Sequence, residues 1–204
     1  MVKKSSYKRG EVIDLLILAT LPVILTVIIG AIISILCGTI INDIKVIDLV
    51  VIWGSMIFAM CVVPVLYLKK NNQEFSIKEL EFRKISKKDI VLSIAISVWF
   101  VIGCYEIENV QFYDLFQNLP ISFAEEFWCK GILFYQLKKI FPHKAAVIIL
   151  SAVIFSFVTH MNGDLWANLL IRMPVGIITG IIYEKDKSLV LPISIHFIYN
   201  VLIA

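Results

Sequence analysis

Apolar residues in this chain come in long runs instead of alternating with polar ones, and the runs are separated by short polar links. The first, residues 12–41, covers 30 positions. As straight helix it would measure about 45 Å against about 30 Å of hydrocarbon, so it must tilt, bend or begin on the surface, with Pro22 the bend site. Further runs follow at 46–68, 89–105, 119–137, 145–160, 165–183 and 188–204. The pattern predicts an all-α, polytopic transmembrane helical bundle of about seven spans, with the site cavity formed by the last four. Gly176 and Gly180, four apart in the sixth span, allow a close helix contact.

Composition agrees with the pattern. Of 204 residues, 59% are hydrophobic and only 17% charged, with a mean hydropathy of +0.88. Soluble domains hold about 25% charged residues. The start, with Lys3, Lys4, Lys8 and Arg9 ahead of a long apolar run, resembles a signal peptide but is too long and has no small-residue cleavage site, so it reads as a retained anchor. Four cysteines, Cys37, Cys61, Cys104 and Cys129, lie in or beside apolar runs with neither metal nor disulfide spacing. They read as small buried hydrophobes.

Charge placement gives an orientation. With the N-terminus inside, 16 of the 19 Lys and Arg residues fall on cytoplasmic pieces: the N-terminus, 69–88, 138–144 and 185–187. This is the positive-inside asymmetry of a multi-pass protein in a cell membrane. The segment 71–88, with Lys78, Arg83, Lys84, Lys87 and Lys88 among Phe75, Leu80, Phe82 and Ile85, predicts an interfacial helix or an ordered cytoplasmic loop on anionic lipid. Nucleic acid is not expected as a partner beside a membrane span.

Two adjacent acids, Glu125 and Glu126, stand in the fourth span. A carboxylate near the bilayer centre costs at least ~2.5–3.5 kcal/mol, so it faces the protein interior and finds partners there. Candidate partners are Lys130, His160, His196 and Asn200. His196 and Asn200 are four apart and share a helical face. Lys130 and Arg172 read most simply as counter-ions, and His143 as a surface residue. Two chemistries fit this set. Zinc could be held by Glu125, His160 and His196, with an acidified water in the open position. Without metal, Glu125 would act as general base, with His196 and Asn200 donating to an oxyanion. A structural polar network and an ion site of a small transporter are the readings without catalysis.

Taken in order, Glu125-Glu126-x-x-x-Lys130, His160 ending the next span, and His196-x-x-x-Asn200 on the last span resemble the CPBP family of intramembrane proteases (CAAX proteases and bacteriocin-processing enzymes, also called Abi). Gly131-Ile132-Leu133-Phe134 and Leu191-Pro192 are similar to the family as well, and the resemblance covers about 122–201. It divides the chain into N-terminal helices with a basic loop, 1–118, and a catalytic core, 119–204. It implies an intramembrane endopeptidase cutting a membrane-anchored peptide or protein, with a bacterial cytoplasmic membrane as location. Glu125 would activate water, Glu126 support it, His160 act in catalysis or ligation, and His196 with Asn200 stabilise the oxyanion or ligate. Many members are called metalloproteases, so zinc is one implied cofactor and a metal-free route the other. Lys130 stands where the family has Arg, and Ser156 where it has Phe. An inactive member serving bacteriocin self-immunity or regulating a membrane partner is the alternative.

Overall fold

The computed structural model describes residues 9–108, 111–161 and 163–203. Among them the chain forms seven helices and no strand: α1 (Arg9–Gly38), α2 (Ile44–Asn71), α3 (Lys87–Glu108), α4 (112–140), α5 (Lys144–Thr159), α6 (Leu165–Asp186) and α7 (Val190–Ile203). The expected all-helical bundle is therefore what forms, with seven helices among the described residues. Three helices, Gly10–Gly38, Ile44–Asn71 and Leu165–Asp186, are long and apolar enough to cross a membrane by length and composition alone. Val27 and Ile35 of α1 are each 70% exposed, a bare apolar face that suits lipid. The protein is a multi-pass helical membrane protein.

The fourth helix is longer than the apolar run. Residues 112–118, expected as a polar connector, form its first two turns. The reason is local: Gln111 and Asp114 make a reciprocal cap, with the Gln111 amide donating to Asp114 Oδ2 at 2.9 Å. Such caps lie outside what an apolar-run count can see.

Two prolines set the packing of α1 and α4. Pro22 lies inside α1, and its missing N–H leaves the Leu18 carbonyl without its partner four residues on. The indole of Trp128 on α4 donates to that carbonyl at 2.8 Å. Pro120 inside α4 likewise frees the Phe116 carbonyl, which accepts from Trp53 of α2 at 3.1 Å. In hydrocarbon an orphaned carbonyl costs several kcal/mol, so each proline calls for a donor from a neighbouring helix. Trp128 is fully buried, and its indole is used in this joint.

Contacts sort the helix ends into two faces. At one face, Tyr67 at the end of α2 bonds Asp14 near the start of α1, and Gln136 near the end of α4 donates to Glu11. The basic segment 72–86 belongs to this face. It is an ordered loop, the second of the two expected forms, and it docks onto protein. A short turn, Ile77–Leu80, is capped by Ser76 and Glu79, and Phe75 and Leu80 are buried beneath it. The Tyr183 hydroxyl donates to the Leu80 carbonyl, and Phe82 lies so close to α4 that a Cβ at Gly131 would meet its ring at 2.6 Å. Arg83 pairs with both Asp89 and Asp186, while Lys138 and Lys187 bridge Glu81 and Glu184. Glu81 and Lys187 both adopt left-handed backbone, at φ 60° and 54°, and this brings their side chains to 3.0 Å. Lys78, Lys84, Lys87 and Lys88 remain exposed.

At the other face, Lys45 reaches Gln111 and Tyr113 reaches Asp48. The expected small-residue contact is present too: Gly176 and Gly180 of α6 sit against Ala152 and Ile148 of α5. A Cβ at Gly176 would lie 3.1 Å from the Ala152 Cβ, tighter than most real contacts.

Two outcomes follow. Trp128→Phe should destabilise the protein by about 1–3 kcal/mol, the cost of an unsatisfied buried carbonyl. Pro22→Ala, by restoring the intrahelical donor, should recover most of that loss in the double variant, as measured by thermal unfolding in detergent. The second outcome concerns pH. Lys138, and then Lys187, hold the Glu81 carboxyl below its ordinary value. A lowered carboxylate contributes stability above the ordinary value of 4.5 and loses it as pH falls further. Hydrogen exchange at the Arg83 amide, which donates to the Lys187 carbonyl, should therefore accelerate below about pH 4.5, corrected for intrinsic rates. Glu81→Gln should flatten that dependence.

Candidate active site between α4, α5, α6 and α7

Glu125 and Glu126 close the α-helical first half of α4, and a π-helical turn, Phe127–Leu133, follows directly. Both are buried, Glu126 the more deeply at 2% exposed. His196 on α7 has no exposure and lies between them: Nδ1 is 3.1 Å from Glu126 Oε1 and Nε2 is 3.3 Å from Glu125 Oε2. One imidazole thus touches both carboxylates through its two nitrogens. Glu125 Oε2, Glu126 Oε2 and His196 Nε2 make no well-directed hydrogen bond within the protein.

Lys130 completes the charge set. It is 1% exposed, its ammonium 3.9 Å from Glu126 Oε2, and it donates to the Gly176 carbonyl at 3.2 Å. It also lies over the Phe134 ring, 5.8 Å from its centroid. The counter-ion role expected for Lys130 is what this geometry provides. A point charge on a flexible stem can approach the carboxylate without the two-pronged fit that Arg would bring.

A cavity of about 240 Å³ opens beside Glu125, lined also by Asn118, His160, Arg172, Tyr199 and Asn200. Asn200 donates to Ser122 at 3.3 Å, and the Ser122 hydroxyl donates to the Asn118 carbonyl at 2.9 Å. The Thr159 hydroxyl donates to the Phe155 carbonyl at 2.6 Å and lies 2.6 Å from His160 Nδ1. Its single proton is used on the carbonyl, so His160 must donate from Nδ1, which leaves Nε2 a lone pair that can accept a proton or a ligand. His160 and His196 both pack edge-on to the Phe155 ring, at 5.4 and 5.2 Å.

The sequence-predicted residues therefore divide into two groups. Glu125, His160 and Asn200 reach the cavity; His196 and Glu126 stand behind it. His143 is exposed in the link before α5, as expected. Arg172 was read as a simple counter-ion, yet it lines the cavity, with its Nη1 donating to Asn168 Oδ1 at 2.7 Å. Asn168 in turn donates to the His160 carbonyl at 3.0 Å, which ties Arg172 to the end of α5. A cation inside an apolar run with an amide four residues earlier is the signal that could have flagged this pair. Three π-helical turns, Phe127–Leu133, Phe155–Thr159 and Asn168–Arg172, abut or contain Lys130, His160 and Arg172. Such turns are frequent at functional sites, and a fourth, Phe58–Val62 in α2, lies outside the cavity lining.

The zinc set Glu125, His160 and His196 does not come together. Among the described residues no three His, Cys, Asp or Glu side chains gather to hold a metal. His196 Nδ1 is bonded to Glu126, while Nε2 faces Glu125 Oε2 at 3.3 Å without a hydrogen bond. The donor chemistry suits zinc, and Glu125 Oε2 and His196 Nε2 are both without a hydrogen bond, but a third ligand is not gathered beside them.

The candidate site is thus a cavity in a helical membrane bundle lined by Glu125, His160 and Asn200, with Glu126 and His196 behind it. Residues 109–202 match the family model of the Rce1-like type II CAAX prenyl endopeptidases. That similarity supports membership of the CPBP/CAAX protease family, as the motifs imply. No curated protein and no solved structure matches the chain.

The Lys130–Glu126 pair makes a direct prediction. Lys130→Met leaves a buried carboxylate uncompensated and should destabilise by about 3–5 kcal/mol. Adding Glu126→Gln removes that charge and should restore most of the stability. A double-mutant cycle followed by thermal unfolding measures the coupling.

Proposed function

We propose that this protein is an intramembrane endopeptidase that hydrolyses a peptide bond in a membrane-associated peptide or protein. The observation that carries the reading is the cavity shared by Glu125, His160 and Asn200, backed by His196 and Glu126, within a chain similar to CAAX proteases. Glu125 takes a proton from a cavity water, and the resulting hydroxide adds to the scissile carbonyl carbon. The oxygen of that carbonyl becomes an oxyanion, and the Asn200 amide is the neutral donor nearest to meet it. Collapse breaks the C–N bond, and the proton held by Glu125 passes to the leaving amine. His196 acts through the carboxylates: it fixes Glu125 and shares charge with Glu126, which Lys130 holds from below. This role differs from the oxyanion donor expected from the motif, because His196 has no surface on the cavity. Arg172 supplies positive potential at the cavity wall, where the tetrahedral intermediate carries negative charge.

This route needs no metal. A zinc route would use Glu125 Oε2 and His196 Nε2, which lie 3.3 Å apart without a hydrogen bond, while Nδ1 stays on Glu126, and it would need His160 to join them. The two are separable: cleavage by the purified protein should survive prolonged dialysis against a chelator in the metal-free route and should be lost in the other.

Glu125→Gln keeps shape and removes basicity, so cleavage should fall by about 10²–10⁴-fold while the protein accumulates normally. Asn200→Ala should cost about 10²–10³-fold, as for the loss of one oxyanion donor. Cleavage of a membrane-peptide library in proteoliposomes, with abundance measured in parallel, checks both. Full cellular function in Glu125→Gln would favour the immunity or regulatory reading.

A further inference from the structure

The cavity and the basic loops lie on opposite faces of the bundle. Asn118 and Glu125 belong to the first half of α4, which begins at the face where Tyr113 meets Asp48 and Trp53 meets Phe116. His160 follows the end of α5, Arg172 lies in the first two turns of α6, and Asn200 is in the last turn of α7. Each of these positions is at or nearer the helix end away from the basic loops. The opposite half has cavities of its own at the surface, one of about 390 Å³ between Leu80, Phe134 and Tyr183, but Glu125 lines none of those found there. Beyond Lys130, towards the basic face, come Phe134 and Tyr183, both about 1% exposed, and Leu80 of the docked loop. Phe82 covers Gly131, and the ion pairs of Glu81, Lys138, Glu184 and Lys187 close the surface over them. Between those cavities and Glu125 stand the buried side chains of Lys130 and Phe134, whereas the cavity on the other face is lined by Glu125 itself.

We infer that Glu125 is reached only from the face opposite the basic loops, so that the protein acts on a peptide segment already displayed on the extracytoplasmic side of the membrane. The segment's class follows from the sidedness. With 16 of 19 cations on the N-terminal, 69–88, 138–144 and 185–187 pieces, the basic face is the cytoplasmic one. A lipid-anchored tail presented from the cytoplasm would meet the docked loop and its ion pairs. An exported precursor, or the outer juxtamembrane segment of an anchored protein, would meet the cavity. Arg172 at the cavity wall favours a segment that brings a carboxylate or a row of carbonyls to it.

Calling the occupant a substrate rests on the protease reading; the access path does not. Single cysteines at Asn118 and Ile121, which line the cavity, and at Lys84, on the docked loop, test the path. A membrane-impermeant maleimide is applied to intact cells and, separately, to inverted membrane vesicles. Modification is read by mass spectrometry at the named position, which keeps the native cysteines from interfering. The expected result is labelling of Asn118→Cys and Ile121→Cys in intact cells, at least tenfold above that in inverted vesicles, and the reverse for Lys84→Cys. Labelling of both cavity positions from the vesicle side alone would overturn the inference. So would labelling of Lys84→Cys in intact cells, or reaction of both cavity positions only after denaturation. The same labelling in a Glu125→Gln background is expected to be unchanged. Loss of the protease reading would therefore show in the cleavage assay and loss of the access path in the labelling.

Discussion

Two carboxylates inside a membrane bundle must be compensated, and the arrangement of the last four helices follows from how this is done. Glu125 and Glu126 share one imidazole, which brings α7 against α4. Lys130 adds the second positive group and reaches across to the Gly176 carbonyl, which joins α6 to the same point. Gly176 in turn lets α6 approach Ala152 on α5. Four helices are thus registered on one buried charge cluster. A buried pair of this kind is weak evidence for net stability but strong evidence for a fixed geometry, because removing any single member leaves a charge stranded.

The N-terminal helices are attached by a different device. Proline inside a membrane helix leaves a carbonyl exposed to hydrocarbon, and a tryptophan from a neighbour meets it in two places: Trp128 at Leu18 and Trp53 at Phe116. A directional bond at a known register then joins α1 to α4 and α2 to α4. Trp128 is three residues beyond Glu125, so this joint also fixes the part of α4 that carries the acids. The docked loop adds Phe82 against Gly131, one residue past Lys130. Support converges on this stretch from both sides, as a preorganised site requires.

A consequence is that the two faces of the bundle differ in kind. One is laced with ion pairs around surface cavities that Glu125 does not line; the other holds the cavity that Glu125 lines, with hydrogen-bonding groups around it. A hydrolase in a bilayer has to bring water to an acid without opening a path through the membrane, and a half-deep cavity does so. The placement of Glu125 on this cavity agrees with such access.

Much of this was legible in the sequence. Run length determines an all-helical membrane bundle, because a bilayer tolerates little else. Glu125 beside Glu126, and His196 four residues before Asn200, identify the site, since ionisable groups in an apolar run are too costly to be incidental. What the sequence could not decide is which of these groups face one another. His196 turned inward to the acids, His160 turned its Nδ1 to Thr159, and Arg172 came to the cavity wall, all through π-helical turns and helix rotations that leave no trace in apolar periodicity. The docking of the basic loop onto protein was equally hidden, because Lys and Arg have the same look in sequence whether they meet lipid or Glu81, Asp186 and Glu184. Composition fixes what a segment needs in order to be buried; only the tertiary arrangement selects which partner meets the need.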